Sequence, residues 1–166
     1  ALTQVWFDPS NGNANRAELR FNDLCYQFTL NPYDVPSQSR VYLGDVATHE
    51  LGHALGLDHS QNLQSSQIFT VAAQMEKPSC DDQAAMIHLY GDSVRGQTGS
   101  LSGQITYNGS AVFGAHVNVI QFERGVVLAS TITNNSGQFQ VSGLEPGHYG
   151  ILVEPFYPGP SSLGPY

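Results

Sequence analysis

The sequence predicts an α+β chain: a first part that mixes short strands with two helices, followed by a smaller all-β part. Three observations carry this. Apolar residues recur at helical spacing from about Leu43 to Leu55 and again through Ala84, Ala85, Met86, Ile87 and Leu89. Beyond residue 100 the pattern changes to short alternating runs divided by turn signals. Finally, 17 Gly and 9 Pro punctuate a chain that is 40% apolar and only 12% charged, the balance of a loop-rich folded protein and not of a disordered one.

Length and charge exclude several functions. At 166 residues the chain holds one full domain or two small ones, which rules out a large multidomain enzyme. A formal net charge of -8 argues against a broad basic footprint, so neither nucleic acid nor anionic lipid is expected as a partner. No run approaches the roughly 18 to 20 apolar residues that span a bilayer, and a monomer is expected. The sequence opens at Ala1 without an initiator Met, the expectation being a removed signal or pro-segment, or a fragment. Two cysteines, Cys25 and Cys80, are too few for a disulfide-dense scaffold and suit an oxidising or a reducing compartment.

In chain order, Leu2 to Phe7 and Ala17 to Phe21 read as strands around the Gly/Asn-rich stretch Asp8 to Asn15, and so as a hairpin or paired edge. Asn31 to Ser39, with Pro32 and Pro36, reads as loop. The first helix runs from about Leu43 to Leu55 and is stopped by Gly56 in the left-handed conformation. The second helix is capped by Asp81 or Asp82 and stopped by Gly91. Asp92 to Ser100 has linker composition. Strands then come at Leu101 to Tyr107, His116 to Phe122, Val126 to Thr133, Gln138 to Val141 and Tyr149 to Glu154, with Asn108-Gly109 among the turns between them. Such spacing predicts a small β-sandwich in which Val117, Val119, Phe139, Val141, Tyr149, Ile151 and Val153 line one buried face.

The chemistry concentrates in Thr48 to Ser60, THELGHALGLDHS. His49 and His53 are one helical turn apart on one face and can present two imidazoles to a single ion. Gly56 lets the backbone reverse, so that His59 can return to the same point. Three neutral imidazoles with a fourth position open describe a catalytic zinc rather than a structural one, which would take a fourth protein ligand. Glu50 is placed beside the metal to take a proton from water and pass it to a leaving amine. Asp58, one residue out of phase with His59, reads as orienting a His or facing solvent. The pattern of two His and a Glu alone recurs by chance; Gly56 and His59 at the required offsets are what narrow it to metal binding. His88, His116 and His148 have no partner at ligand spacing and read as solvated or hydrogen-bonded structural residues.

HELGHALGLDH resembles the HExxHxxGxxH signature of the metzincin endopeptidases, and Ser60 after it resembles the matrixin branch in its bacterial form. VAAQMEKP resembles the Met-turn, which would make Met75 a hydrophobic floor beneath the zinc, and SCDDQAAMIHLYG resembles the C-terminal helix of that family. LTQVWFDPSNGNANRAELRFND resembles the last two strands before the active-site helix, which would make Thr3, Gln4, Val5 and Trp6 part of the edge along which a peptide substrate pairs. The resemblance implies the C-terminal part of a zincin catalytic domain over residues 1 to 91, with earlier strands and a helix expected to be absent. Calcium is expected only in a longer parent: Arg20 stands where the family often has His, and Asn22 where Asp is common, so no structural metal is expected. The Pro-x-Tyr wall of many relatives is also missing, so cleavage preference does not carry over. For Cys25 and Cys80 the resemblance leaves two expectations, a disulfide or a pair of free thiols.

The segment after a linker at 92 to 99 is similar to the carboxypeptidase regulatory-like, or transthyretin-like, β-sandwich over residues 100 to 156, with a Pro/Gly-rich tail at 157 to 166. Nothing in it has a catalytic pattern, and a folded spacer is expected. Together the resemblances imply a secreted or cell-surface zinc endopeptidase with one catalytic Zn2+ and a polypeptide substrate. The alternative is a secreted binding or adhesion module with a vestigial metal site, against which the retained Glu50 argues.

Overall fold

A computed structural model describes residues 1–34, 40–62, 65, 67, 75–91 and 98–155. The expected linker core at 92–97, the tail at 157–166, residues 35–39 of the Asn31 to Ser39 loop and the Met-turn segment ahead of Met75 lie outside these residues. The described residues form eleven strands and two helices, a mixed α/β arrangement. They divide into two compact units, Ala1–His59 with Gln64–Asp82, and Ser60–Leu63 with Gln83–Tyr166.

In the first unit, β1 (Leu2–Phe7) and β2 (Ala14–Arg20) form an antiparallel hairpin that packs on α1 (Leu43–Ala54). The second strand begins three residues earlier than the apolar pattern suggested, because backbone pairing carries Ala14 opposite Phe7 and Arg16 opposite Trp6 regardless of polarity. The Arg16 guanidinium lies 4.6 Å from the centre of the Trp6 ring, a cation–π contact. Phe21 falls outside the strand and meets Phe28 edge to face. A short parallel pair, β3 (Gln27–Thr29) with β4 (Arg40–Tyr42), was not expected. Three residues are too few to show a period, and the partner strand lies more than ten positions further along the chain. Cys25 and Cys80 are both free and exposed.

Helix α1 ends where the sequence predicts. Gly56 takes φ 89°, Leu57 N–H donates to Gly52 O at 2.9 Å and Gly56 N–H to His53 O at 3.0 Å. These are the two bonds of a Schellman cap, and Leu57, which follows the glycine, is buried. The second helix, α2 (Cys80–Tyr90), is capped differently from expectation. Ser79, not Asp81 or Asp82, sits at the cap: its hydroxyl accepts Asp82 N–H at 3.2 Å, while the Asp82 carboxylate accepts Ser79 N–H at 2.6 Å. The reciprocal bonds satisfy two orphan donors at once, which an aspartate inside the first turn cannot do alone.

The second unit contains β5 (Gly99–Gln104), β6 (Thr106–Tyr107), β7 (Ser110–Ala111), β8 (Ala115–Gln121), β9 (Val126–Ile132), β10 (Gln138–Leu144) and β11 (Tyr149–Pro155). Gly99, read as linker, opens β5. An antiparallel sheet β11-β8-β9 and the pair β10-β5 contribute Val119, Leu128, Ala129, Val141 and Leu144 to one buried cluster, with Ala84 of α2 and flanking Leu101 and Tyr149. The β6–β7 hairpin turns on Asn108-Gly109, both at positive φ (50° and 80°), the conformation that dipeptide favours. Val117, Val119, Phe139 and Val141 are buried as predicted, whereas Ile151 and Val153 are 45% and 40% exposed. Among the described residues β11 pairs with β8 alone, so an alternating pattern on it does not guarantee a covering neighbour. His116 is buried, its Nδ1 3.4 Å from the Asn118 amide, and burial pushes its pKa below the ordinary histidine value.

Candidate metal centre

Helix α1 presents Asp45, His49 and His53 at four-residue intervals, hence along one face. The Schellman turn then brings His59 back toward them. The three ring centres lie 4.7 to 5.2 Å apart, and one ring nitrogen from each residue falls within 4.8 Å of the others. His49 is buried, His53 half-buried and His59 the most exposed.

Hydrogen bonds orient the rings. His53 Nδ1 is 2.8 Å from the Leu57 carbonyl, which can only accept, so Nδ1 carries a proton and Nε2 is the ring nitrogen turned to the cluster. That Nε2 points at His49 Nε2, 3.0 Å away. Two nitrogens bound at 2.0 to 2.1 Å to one tetrahedral ion would be about 3.3 Å apart, so the His49–His53 pair fits a zinc ion with a few tenths of an ångström of opening, and the His59 nitrogen lies within 4.8 Å of both. The pKa of His59 is lowered, by partial burial first and then by His53 and His49, which favours the neutral, ligating form. Asp58 is not part of the cluster; its carboxylate accepts the His59 backbone N–H at 2.7 Å and holds the turn.

Glu50 is 6% exposed and receives the Thr3 hydroxyl on Oε2 at 2.5 Å. Of the edge-strand candidates, Thr3, Val5 and Trp6 are half-buried and Gln4 is exposed. Met75 is half-buried, and its backbone N–H donates to the Asp45 carboxylate at 2.7 Å. The chain therefore returns to the helix that carries His49 and His53 through Asp45, a residue the motif did not single out although its spacing from His49 was a usable signal. Gln67 and Gly52 were also missed. A Cβ on Gly52 would overlap the Gln67 amide, so this glycine is required for the close approach of a fully buried side chain, which donates to Thr48 O at 3.4 Å. No sequence pattern announces it, because the two residues are 15 positions apart.

A model of the matrixin family matches residues 6–91, just over half of the chain. The chain belongs to the matrixin family. No curated protein and no solved structure matches it. Matrixin membership and the three-imidazole cluster together point to zinc binding and to a metallopeptidase function. No helix among the described residues is long and apolar enough to cross a membrane.

Proposed function

We propose that this matrixin is a secreted zinc-dependent endopeptidase that cleaves extended polypeptides. The observation that carries the reading is the convergence of His49, His53 and His59 with Glu50 on the same helical turn as the first ligand. His49, His53 and His59 would hold the ion, with Gly56 making the turn and Met75 packing beneath it. A zinc ion held there would supply a Lewis acid able to polarise a carbonyl and acidify water. Glu50 would take a proton from the attacking water and deliver it to the departing amine. Strand β1 pairs with β2 alone among the described residues, which supports a role for its other edge, through Thr3, Gln4, Val5 and Trp6, in aligning the substrate backbone.

In this reading residues 1–91 form the peptidase part, 92–99 a linker, 100–156 a β-sandwich spacer and 157–166 a tail, in a monomer that engages no nucleic acid. Casein or gelatin cleavage by the zinc-supplemented chain tests the mechanism. Phenanthroline or a hydroxamate should abolish cleavage, and Glu50→Ala should lower it about 100- to 10,000-fold, the range for loss of a general base. Equal cleavage by parent and Glu50→Ala would refute the proposal.

A further inference from the structure

Thr3 lies ahead of the residues matched by the family model, and its side chain makes two contacts with one residue 47 positions away: Oγ1 is 2.5 Å from Glu50 Oε2 and 3.0 Å from the Glu50 carbonyl oxygen. A hydroxyl has one proton to give. The shorter contact has the length of a charge-assisted O–H···O⁻ bond, so the proton goes to the carboxylate. A glutamate side chain has three rotatable bonds, the last of them broad and nearly two-fold. Without a partner, either carboxylate oxygen could face the reacting water.

We infer that Thr3 is a positioning residue for Glu50: by holding Oε2 it leaves Oε1 as the oxygen that exchanges protons with water and the leaving amine. This rests on the peptidase reading above. It also gives β1 a second task, since the strand that would align the substrate backbone also sets the orientation of the base. One rigid hairpin would then register both partners of the proton transfer, and misplacing a reacting group by about an ångström can cost on the order of 100-fold in rate.

The test uses Thr3→Val, which keeps the β-branched shape, and Thr3→Ser, which keeps the hydroxyl, in the zinc-supplemented chain with a peptide substrate. Thr3→Val should lower kcat about 10- to 100-fold with KM within about twofold, and Thr3→Ser should restore most of the loss. Zinc affinity, measured by competition with a chromogenic chelator, should be the same in all three. Thr3→Val turning over at the parent rate while Glu50→Ala is inactive would overturn the role of Thr3 and leave the peptidase reading standing. Glu50→Ala as active as the parent would remove both. A Thr3→Val loss that Thr3→Ser does not restore, or that appears in KM alone, would also overturn it, by showing that the strand's shape and not its hydroxyl matters.

Discussion

The two units bury different things. Among the described residues, the first encloses Asp45, His49, Glu50, Ser65, Gln67, Asp81 and Asp82 beside only Val46 and Leu57 as fully buried apolar side chains. The second encloses nine apolar side chains, Ala84, Ala115, Val117, Val119, Leu128, Ala129, Phe139, Val141 and Leu144, beside the polar Asn62, His116, Asn118, Gln121 and Thr133. Apolar burial is non-directional and tolerates small shifts, whereas a buried polar group must meet its partner or cost free energy. Among the described residues the first unit thus relies mainly on directed bonds around α1 and its imidazoles, and the second mainly on apolar area. Precision is concentrated where the site is.

Truncation of the apolar interior should have the largest effect. Phe139 lies against Gly103, where a Cβ would come within 2.8 Å of its ring, and Phe139→Ala should destabilise the second unit by about 3–5 kcal/mol in a denaturant titration; a loss below about 1 kcal/mol would show that area is not what holds it. Next comes the polar interior. Ser65 donates to Asp82 Oδ1 at 2.5 Å and accepts Gln67 N–H at 3.0 Å, so Ser65→Ala removes a bond to a buried carboxylate and should cost the first unit about 1.5–3 kcal/mol. An unchanged midpoint would erase the contrast between the units.

Gly52→Ala sharpens it further. Alanine favours a helix by about 1 kcal/mol over glycine, yet here it displaces Gln67, and the net effect should be a loss of about 1–2 kcal/mol. Adding Gln67→Ser should recover much of that loss; a Gly52→Ala chain more stable than its parent would show the contact to be dispensable.

The smallest effect concerns pH and the second unit. Burial depresses the pKa of His116, and the facing Glu154 carboxylate only partly opposes this. The unfolded chain therefore binds a proton near the ordinary value of 6.5 while the folded chain does not. This contribution to stability is complete above 6.5 and is lost as pH falls from there through the depressed folded value. His116→Asn should flatten the dependence of unfolding free energy between about pH 7 and 5; an unaltered slope would show that His116 is not its source.

Much of the metal centre could be read without a structure. His49 and His53 share a face because a helix repeats every 3.6 residues, and Gly56 must reverse the chain for His59 to return, so four positions within eleven residues carry the geometry. The Asn108-Gly109 turn and the buried faces of β8 and β10 arise from equally local rules. Where prediction failed, the deciding partner lay outside the window. Ser79 replaced the aspartates as the cap of α2 because a serine three residues ahead of Asp82 allows two reciprocal bonds, and Ile151 and Val153 stayed exposed because only sheet order reveals an edge.

Sequence by itself determined the imidazole triad, its helix and its terminating turn, since all of these depend on torsions and spacings within one short segment. Only the tertiary structure decided that Thr3 meets Glu50, that Asp45 holds the Met75 backbone, and that Gln67 occupies the space left by Gly52. Those contacts join residues 15 to 47 positions apart. Closing such loops costs entropy that is recovered only when many contacts form together, so no single segment encodes them.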